Sequence, residues 1–338
     1  MAPSQAEDMK YASLRCPLCE SEMQAPPLHS FDDLQAAAHF CPIARDFDRH
    51  RRMRASINKL WGMTNAEVYV CSECGFGFGW PYVGGDEEFY GILAEHAGYP
   101  SSRWEHGLTI EQVKREFPDG GKVLDIGAGD GAFLKSLGDK WEKSATEGGE
   151  TMRATLRAAG IVCHRCLADV IADGKGSFEL VTMFQSLEHF ADFKDVLASC
   201  LSLLKPEGRL VVSVPNGDTL YEQEEITGFP DMIPSHINKF TPGSLSLALR
   251  QAGFEPGPAL LEPPSVSQAV YCATLVTRAQ AAKSPNTFAG KAWSIRKRLP
   301  QRSFLALISA VNLLMRLHQL PKLMRGGTLV VVGSKRCS

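Results

Sequence analysis

Short apolar runs alternate with segments of helical period from Gly121 to the end of the chain. Runs such as FELVTMFQ and GRLVVSVPN have the apolar character of strands buried in a parallel sheet. Stretches such as TMRATLRAAG and DFKDVLASCLSLL repeat their apolar positions with the period of a helix. Strands that alternate with helices of this length predict βαβ units and a doubly wound α/β sheet. A last apolar run, GGTLVVVGSK, predicts the strand that completes this sheet.

The first part of the chain has a different pattern. Up to about Pro81 it is rich in Cys, Arg and aromatic residues, without a long periodic apolar stretch. We therefore predict a small module at residues 1–81, a linker and lid segment at 82–118, and the α/β domain at 119–338 with a helical insertion at about 265–325. Tyr90, Tyr99 and Trp104 are candidates for a lid over a bound cofactor, although aromatic residues in a linker more often simply pack.

The most specific chemical motif is VLDIGAGDG, which follows the first strand of the α/β region and precedes a helix. Glycine lets the backbone approach a ligand closely, and the helix behind the turn offers free N–H donors. Dinucleotide sites prefer G-x-G-x-x-G, which faces a pyrophosphate, whereas this loop is D-x-G-x-G-x-G. The carboxylate of Asp125 at the strand end suits a ligand that has an ammonium group and no phosphate, as in the methionine part of S-adenosylmethionine.

Glu147 lies 20 residues after Gly127, at the end of the second predicted strand. A carboxylate at that place can accept hydrogen bonds from both hydroxyls of a ribose. The alternative is that these residues are turn glycines and an incidental surface acid. The strand, the helix and the acid all lie at the positions that a nucleoside site requires, and this agreement favours such a site.

These motifs resemble those of the class I S-adenosylmethionine-dependent methyltransferases. VLDIGAGDG is similar to their first motif, FELVTMFQSLEHF to their fourth-strand motif and LLKPEGRLVVSVPN to their fifth strand. CPLC, CSECGFGF and a Tyr-containing linker resemble bacterial methyltransferases with an N-terminal zinc-binding domain, among them sugar C-methyltransferases and enzymes of surface-polysaccharide clusters. The resemblance implies a Rossmann-like seven-stranded sheet with a zinc-ribbon-like module. It also implies methyl transfer to a small molecule, for example a nucleotide-linked sugar.

The resemblance assigns the methionine moiety of the cofactor to four residues of the first motif: Asp125, Gly127, Gly129 and Gly131. It assigns the ribose to Glu147, and Gln185 at the end of the fourth strand is a further cofactor-binding candidate. Family members often place an Asp near the adenine after the third strand. That position falls at Leu167 here, so Asp169, two residues further on, is the candidate in its place.

Two C-x-x-C pairs lie in the first part of the chain, Cys16 with Cys19 and Cys71 with Cys74. Two such pairs can complete a tetrahedral site of four thiolates, and Gly75 fits the tight turn of a zinc knuckle. Because such a site has no open coordination position, we expect a structural Zn²⁺. Free or buried cysteines are the alternative.

Three other cysteines and a histidine are weaker metal candidates. His39 and Cys41 lie between the two pairs and could replace a ligand, although a structural role is favoured. Cys163 and Cys166 also have the C-x-x-C spacing. Since neighbouring residues of a strand point to opposite faces, packing explains this third pair better.

Methyl transfer from a sulfonium is a direct displacement, so the protein must align the reactants and remove a proton where the acceptor requires it. His189, after the fourth strand, is a candidate general base, and a shaping or hydrogen-bonding role is an equal alternative. His236, on the loop after the fifth strand, is a second candidate base, ranked slightly lower. Glu188 is expected to cap the following helix.

Composition narrows the choice of partners and compartment. Lys and Arg number 36 against 38 Asp and Glu, so we expect no nucleic-acid partner. The first residues lack the order of a secretory signal, and no apolar run reaches the roughly 18 residues of a membrane span. Ten cysteines in such a chain favour reduced thiols and metal ligands, which indicates the cytoplasm.

The predicted insertion carries basic residues ahead of an apolar helix: Lys291, Arg296, Lys297, Arg298 and Arg302. A basic face beside an apolar one can bind a membrane surface peripherally or an anionic substrate. A solvated face on a lid or homodimer helix is the more ordinary interpretation.

Two other functions remain open at this point. A nicotinamide-dependent oxidoreductase is disfavoured by the glycine spacing and by Asp125. A zinc-ribbon methyltransferase that acts on RNA or protein is disfavoured by the nearly neutral net charge of −2, although Arg45 and residues 49–54 form a local basic stretch.

Overall fold

A computed structural model of the protein describes residues 14–95, 103–295 and 297–336. The chain divides into two compact units, and each is assembled from separate segments of the sequence. The first unit comprises Met1–Glu95, Asn216–Lys239 and Pro263–Gly327, and the second comprises His96–Pro215, Phe240–Glu262 and Thr328–Ser338. Two segments that the sequence analysis placed in the α/β domain thus group with the N-terminal part. The three consecutive ranges stay a prediction about domains.

The strands are, in chain order, β1 (His29–Asp32), β2 (Asn65–Val70), β3 (Gly77–Trp80), β4 (Gly121–Ile126), β5 (Trp141–Thr146), β6 (Val162–His164), β7 (Phe178–Phe184), β8 (Leu204–Pro215), β9 (Asn238–Lys239), β10 (Phe254–Pro256), β11 (Leu260–Leu261) and β12 (Thr328–Lys335).

The α-helices are α1 (Asp33–Phe40), α2 (Phe47–Trp61), α3 (Glu87–Ala94), α4 (Trp104–Glu116), α5 (Ala132–Ser136), α6 (Glu150–Ala158), α7 (Ala168–Gly174), α8 (Phe193–Leu203), α9 (Gly217–Thr227), α10 (Pro242–Gln251), α11 (Val266–Lys283), α12 (Phe288–Trp293), α13 (Arg298–Leu314) and α14 (Leu320–Leu323). Two short 3₁₀ helices span Leu187–His189 and Leu317–Gln319.

The second unit contains the predicted doubly wound sheet. Its strand order is β10–β12–β8–β7–β4–β5–β6, and β11 pairs with β12 beside this path. β4, β5, β6, β7 and β8 run parallel, whereas β12 pairs antiparallel with β8. Fully buried side chains such as Val123, Leu134 and Leu180 form its core. The mostly parallel α/β sheet confirms the predicted fold class, and it brings the carboxyl ends of β4, β5 and β7 side by side.

The first unit contains an antiparallel sheet of order β1–β2–β3–β9. Asp32 begins α1 with a capping box that includes Gln35, and Gly62 ends α2 in the left-handed conformation. Met53, Ile57 and Trp61 of α2 lie in one buried cluster with residues of the sheet and of the segment after β8. Strand β9 and this cluster explain why Asn216–Lys239 belongs to this unit.

Four helices, α11 to α14, lie within Pro263–Gly327 of the first unit. The long helix α13 ends at Leu314, so the end of the predicted helix SFLALISAVNLLMRLHQL continues instead as a 3₁₀ helix. In the described residues no single helix has the length and apolar character to cross a bilayer. Leu299–Leu314 and Leu317–Leu323 meet those criteria only as a pair, with a bend of 68° between them.

Candidate cofactor site and cysteine cluster

The glycine loop after β4 requires glycine at two places for steric reasons. Gly127 has a φ of 76° and Gly131 a φ of 77°, a region that other residues seldom adopt. A Cβ atom on Gly127 would lie 2.8 Å from the Cβ of Ser186, and one on Gly131 would lie 2.5 Å from the side chain of Leu156. The chain therefore turns tightly against β7 and α6 and presents its backbone at the edge of the sheet.

Glu147, directly after β5, is tied to this loop. Its Oε2 accepts a hydrogen bond from the N–H of Gly129 at 2.9 Å, and its Oε1 accepts one from Gly149 at 2.9 Å. Each carboxylate oxygen has two lone pairs, so both can accept a further hydroxyl donor. Glu147 therefore lies at the glycine loop, and its carboxylate can still accept hydrogen bonds from the two hydroxyls of a diol.

Asp125 is buried in β4, with only 3% of its surface exposed. Burial raises the pKa of this carboxyl to about 7. The negative charge of Glu147 also raises this pKa, whereas the hydrogen bond that Thr182 Oγ1 donates at 2.8 Å lowers it. Removal of a carboxylate from water disfavours the charged form. A cationic group close to Asp125 would restore that form.

Gln185 follows β7 and has a φ of 52°, which is rare for a residue with a side chain. Its N–H donates to the carbonyl of Ser213 in β8, and its Nε2 lies 3.5 Å from Ser213 Oγ. Ser213 Oγ in turn donates to Glu105 Oε1 at 3.4 Å. A short polar chain therefore runs from the end of β7 through β8 to the start of α4.

Sequence reasoning missed Glu105 and His106 of α4. Burial raises the pKa of the Glu105 carboxyl, and burial lowers the pKa of His106 to about 4. The ring of His106 lies 4.8 Å from that of Phe184 at the end of β7. The sequence contained only one signal for these residues, a Glu-His pair near a predicted helix, and such pairs are common on solvated helices.

Asp169 has a local role in the structure. It is exposed on α7, and its Oδ2 accepts a hydrogen bond from the N–H of Cys166 at 3.3 Å, which lowers the pKa of the carboxyl. In the described part of the chain, no hydrogen bond joins Asp169 to the glycine loop or to Glu147. The adenine contact predicted for it stays a prediction.

His189 is the last residue of the 3₁₀ helix that follows β7. Its Nε2 lies 4.0 Å from Oε1 of the buried Glu188. Asp192, four residues after Glu188, is the N-cap of α8, so the expectation that Glu188 caps this helix is wrong. The turn leaves the imidazole of His189 partly exposed to solvent.

His236, in the first unit, has a carboxylate partner. Its Nδ1 lies 2.7 Å from Asp231 Oδ1, and Lys239 Nζ donates to Asp231 Oδ2 at 2.8 Å. Burial would raise the pKa of Asp231, but the charges of His236 and Lys239 outweigh it and hold the pKa below its usual value. An ionised carboxylate at Nδ1 orients the ring and leaves Nε2 as the basic nitrogen.

The three aromatic lid candidates have different positions. Tyr90 lies in α3, and its hydroxyl donates to the carbonyl of Ser235 at 3.1 Å. Trp104 begins α4 and packs against the core of the second unit. Tyr99 lies outside the described residues. The contacts of Tyr90 and Trp104 are those of packed residues.

The four cysteines of the two N-terminal C-x-x-C pairs form one cluster. Cys16 Sγ lies 3.7 Å from Cys74 Sγ, Cys19 Sγ lies 3.6 Å from Cys71 Sγ, and all four sulfurs are within 4.8 Å of one another. A tetrahedron with Zn–S bonds of about 2.3 Å has S···S edges of roughly 3.8 Å. The hydrogen bond with Cys74 lowers the pKa of the Cys16 thiol to about 7. The sulfur positions fit a tetrahedral thiolate ion site.

The backbone makes two matching turns around this cluster. The carbonyl of Cys16 accepts the N–H of Glu20, and the carbonyl of Cys71 accepts the N–H of Gly75, both at 2.9 Å. Glu20 and Gly75 also share the left-handed conformation, with φ of 66° and 70°. Each pair is therefore held as a knuckle, as Gly75 predicted for the second.

The weaker metal candidates lie outside this cluster. His39 stacks on Phe229 with ring centroids 4.0 Å apart, and Cys41 Sγ is directed at the carbonyl of Asp46. Cys163 is half-buried on β6, and Cys166 is exposed after it. The contacts of His39 and Cys41 are those of structural residues, whereas the exposed Cys166 lies outside β6 and is not a packed residue of that strand.

Comparison with known proteins identifies a family for a range that contains most of the second unit and Asn216–Lys239 of the first. A family model described as a methyltransferase domain matches residues 103–256. This range contains the glycine loop, Glu147 and the polar chain from Gln185 to Glu105. It also contains β4 and the two strands that pair with it, β5 and β7.

Individual relatives agree with this match. A ubiquinone biosynthesis O-methyltransferase of Xanthomonas axonopodis is 30% identical over 164 residues, which is 44% of this chain and 69% of the relative. A protein with the same name from Chromobacterium violaceum is 27% identical over 40% of this chain and 64% of the relative. The chain thus spans about two thirds of the length of these relatives.

A solved structure of similar architecture is the YcgJ protein of Bacillus subtilis. It is 13% identical, covers 69% of this chain and 98% of its own, and superposes with a TM-score of 0.44. The assignment rests on the sequence matches, since they include 30% identity across more than two thirds of a relative. The chain belongs to the class I S-adenosylmethionine-dependent methyltransferases.

Proposed function

We propose that the protein transfers the methyl group of S-adenosylmethionine to an oxygen of a small-molecule acceptor. The observation that carries this proposal is the carboxylate of Glu147, which is bonded to the glycine loop beside the buried Asp125. The name of the relatives, ubiquinone biosynthesis O-methyltransferase, supports oxygen as the acceptor atom. A hydroxyl on a nucleotide-linked sugar is a second acceptor to test, because the cysteine motifs resemble sugar-modifying enzymes.

Each residue of the cofactor site has a defined task in this proposal. The carboxylate of Asp125 neutralises the charge of the ammonium group of the methionine moiety. The backbone at Gly127, Gly129 and Gly131 accommodates that moiety. The carboxylate of Glu147 accepts hydrogen bonds from the ribose hydroxyls. Gln185 is held by Ser213 and Glu105 at the neighbouring strand end. The bound cofactor supplies a methyl group that is already activated by its positive sulfur. The protein's contribution is orientation and removal of the acceptor proton.

A histidine removes that proton in this proposal. His189 follows the fourth strand of the parallel sheet, and His236 has Asp231 at its Nδ1. His189 is ranked first, because it lies in the unit that contains the glycine loop. His236 is the second candidate, because its Asp231 partner fixes the ring and stabilises an imidazolium.

We also propose that the four-cysteine cluster holds a structural Zn²⁺. Four thiolates leave no open coordination position, so such an ion would organise the first unit without taking part in methyl transfer. The two knuckles and the sulfur spacing support this assignment.

The experiment for the catalytic proposal uses the full chain, S-adenosylmethionine with a labelled methyl group, and separate panels of catechols, nucleotide sugars, amines, RNA and a protein mixture. We expect label on an oxygen of one small-molecule panel and an equal amount of S-adenosylhomocysteine. Label only on nitrogen or carbon would overturn the choice of atom. Label only on RNA or protein would establish the zinc-ribbon alternative instead.

A further inference from the structure

The helical insertion is strongly basic. Pro263–Gly327 has no Asp or Glu and ten Lys and Arg residues, in a chain whose formal net charge is −2. Those ten residues are Arg278, Lys283, Lys291, Arg296, Lys297, Arg298, Arg302, Arg316, Lys322 and Arg325. The segment therefore carries a formal charge of +10, and the rest of the chain carries −12.

Helix α13 in this segment buries two polar side chains, Ser309 and Asn312, and exposes several large apolar ones. Asn312 is only 4% exposed and donates to Thr277 Oγ1 of α11 at 3.1 Å, and Ser309 Oγ lies 2.8 Å from the same oxygen. Gln280 Nε2 donates to Asn312 Oδ1 at 3.1 Å. Buried polar groups that satisfy one another fix the orientation of α13, so its outer face is not free to turn inward.

The outer face of α13 is a continuous apolar stripe of Phe304, Leu307, Val311 and Leu314. Leu307 is 62% exposed and Leu314 is 65% exposed. The spacing of three and four residues places all four side chains on one side of the helix. Leu299 and Met315 extend the stripe at its two ends, and both are also exposed. A soluble protein usually exposes large apolar side chains singly, so a stripe of this length indicates a binding surface.

Basic residues lie at the N-terminal end of the stripe. Lys291, Lys297 and Arg302 are exposed, and no ion pair within the described ranges includes any of them. At the other end, Lys322 and Arg325 are paired with Glu222 at 3.0 and 2.7 Å. The uncompensated positive charge therefore lies at the N-terminal end of α13.

We propose that α13 lies on an anionic lipid surface, with its apolar stripe among the acyl chains and Lys291, Lys297 and Arg302 at the phosphate headgroups. An apolar helix face flanked by Lys and Arg suits the interface of an anionic bilayer. A nucleic acid would match the charge but would leave the apolar stripe in water. A second copy of the chain would cover the stripe but would bring two basic segments together. This inference is independent of the acceptor proposed above.

The test measures sedimentation of the full chain with vesicles of phosphatidylcholine alone and with vesicles that also contain phosphatidylglycerol. We expect binding to the anionic vesicles only, weakened by added NaCl. Lys297→Gln with Arg302→Gln should lower the partition coefficient roughly fivefold for each charge removed. Leu307→Ser with Leu314→Ser should lower it about tenfold or more for each leucine.

Control variants change exposed leucines and exposed basic residues elsewhere in the chain. Leu28→Ser with Leu34→Ser removes two exposed leucines, and Lys114→Gln with Lys175→Gln removes two exposed lysines. We expect wild-type binding from both control pairs and an unchanged Tm from all four double variants. Equal binding to both vesicle types, or equal loss in the control pairs, would overturn the proposal. So would a dimer in light scattering that Leu307→Ser with Leu314→Ser dissociates, because the stripe would then be covered by a second copy.

Discussion

Asp125 is a buried acid whose raised pKa suits a cationic ligand. Its raised pKa of about 7 means that about half of the ligand-free molecules carry a proton there at neutral pH. A ligand ammonium favours the ionised form, so binding should release that proton. The proposed role of Asp125 therefore predicts that cofactor affinity depends on pH.

The affinity for S-adenosylhomocysteine should rise about tenfold between about pH 6 and about pH 8, as Asp125 loses its proton. Asp125→Asn should bind more weakly and show no such rise. Calorimetric titration at a series of pH values measures both. Asp119→Asn, a change at an exposed acid, is the control and should keep the wild-type profile. A rise that persists in Asp125→Asn would assign the pH dependence to another group.

The same raised pKa has a consequence for the free energy of unfolding. The folded-state pKa lies above the unfolded value, so the contribution of Asp125 is full below about pH 4 and is lost as the pH rises through about 7. Asp125→Asn should therefore make the ligand-free protein about 2–4 kcal/mol more stable at about pH 8. Urea unfolding at about pH 4 and about pH 8 measures the difference. Equal stability of wild type and variant at the higher pH would show that Asp125 is not perturbed.

The two histidines differ in their surroundings, and this difference predicts kinetic behaviour. His189→Ala should lower kcat by about 10²–10⁴-fold with little change in cofactor affinity, because a general base contributes to that extent. Asp231→Asn should leave kcat close to the wild-type value, since it removes only the partner of the His236 ring. Full kcat in His189→Ala together with a large loss in His236→Ala would reverse the ranking.

At the scale of single elements, the cysteine knuckles make a prediction about metal. The wild-type protein should contain one Zn²⁺ per chain, and Cys16→Ser with Cys74→Ser should contain none. Loss of about 3–5 kcal/mol of metal-linked stability should lower Tm by roughly 10 °C. Cys163→Ser with Cys166→Ser changes a pair of the same spacing and should retain the metal and the Tm. A wild-type protein without zinc would contradict the assignment.

The elements also show what the sequence could predict. The longer strands of the second unit are predictable because their apolar runs alternate with helices, and VLDIGAGDG locates the loop between β4 and α5. The short strands β10 and β11 carry no such pattern. The short strands β1 and β3 were missed, since four residues carry no period and Gly77 and Gly79 lower the strand signal. Helix α11 was missed because small and polar residues lie all around it. Glu105 approaches Ser213 only through tertiary packing, which no local pattern encodes.

At the scale of the whole molecule, the first unit depends on segments far apart in the sequence. Strand β9 pairs with β3, and Met232, Ile233 and Ile237 share a core cluster with Met53 and Trp61. The N-terminal module predicted at residues 1–81 therefore has packing partners from beyond residue 215. Removal of the N-terminal part should expose these apolar side chains.

A fragment of residues 119–338, the α/β domain predicted from the sequence, should accordingly aggregate or bind a hydrophobic dye. The full chain should do neither. Gel filtration and dye fluorescence of the two proteins give the comparison. A monomeric fragment with a Tm equal to that of the full chain would show that residues 119–338 form an independent domain.

The claim on which the account depends is that the loop after β4 and Glu147 hold S-adenosylmethionine. Calorimetric titration of the full chain with S-adenosylhomocysteine measures this directly, with Glu147→Ala as the variant and Glu142→Ala, an exposed acid on β5, as the control. We predict one binding site per chain. Glu147→Ala should lower the affinity about 10²-fold, because two hydrogen bonds to a charged group are removed. Glu142→Ala should bind with wild-type affinity. Wild-type affinity in Glu147→Ala, or no binding to the unaltered protein, would contradict it.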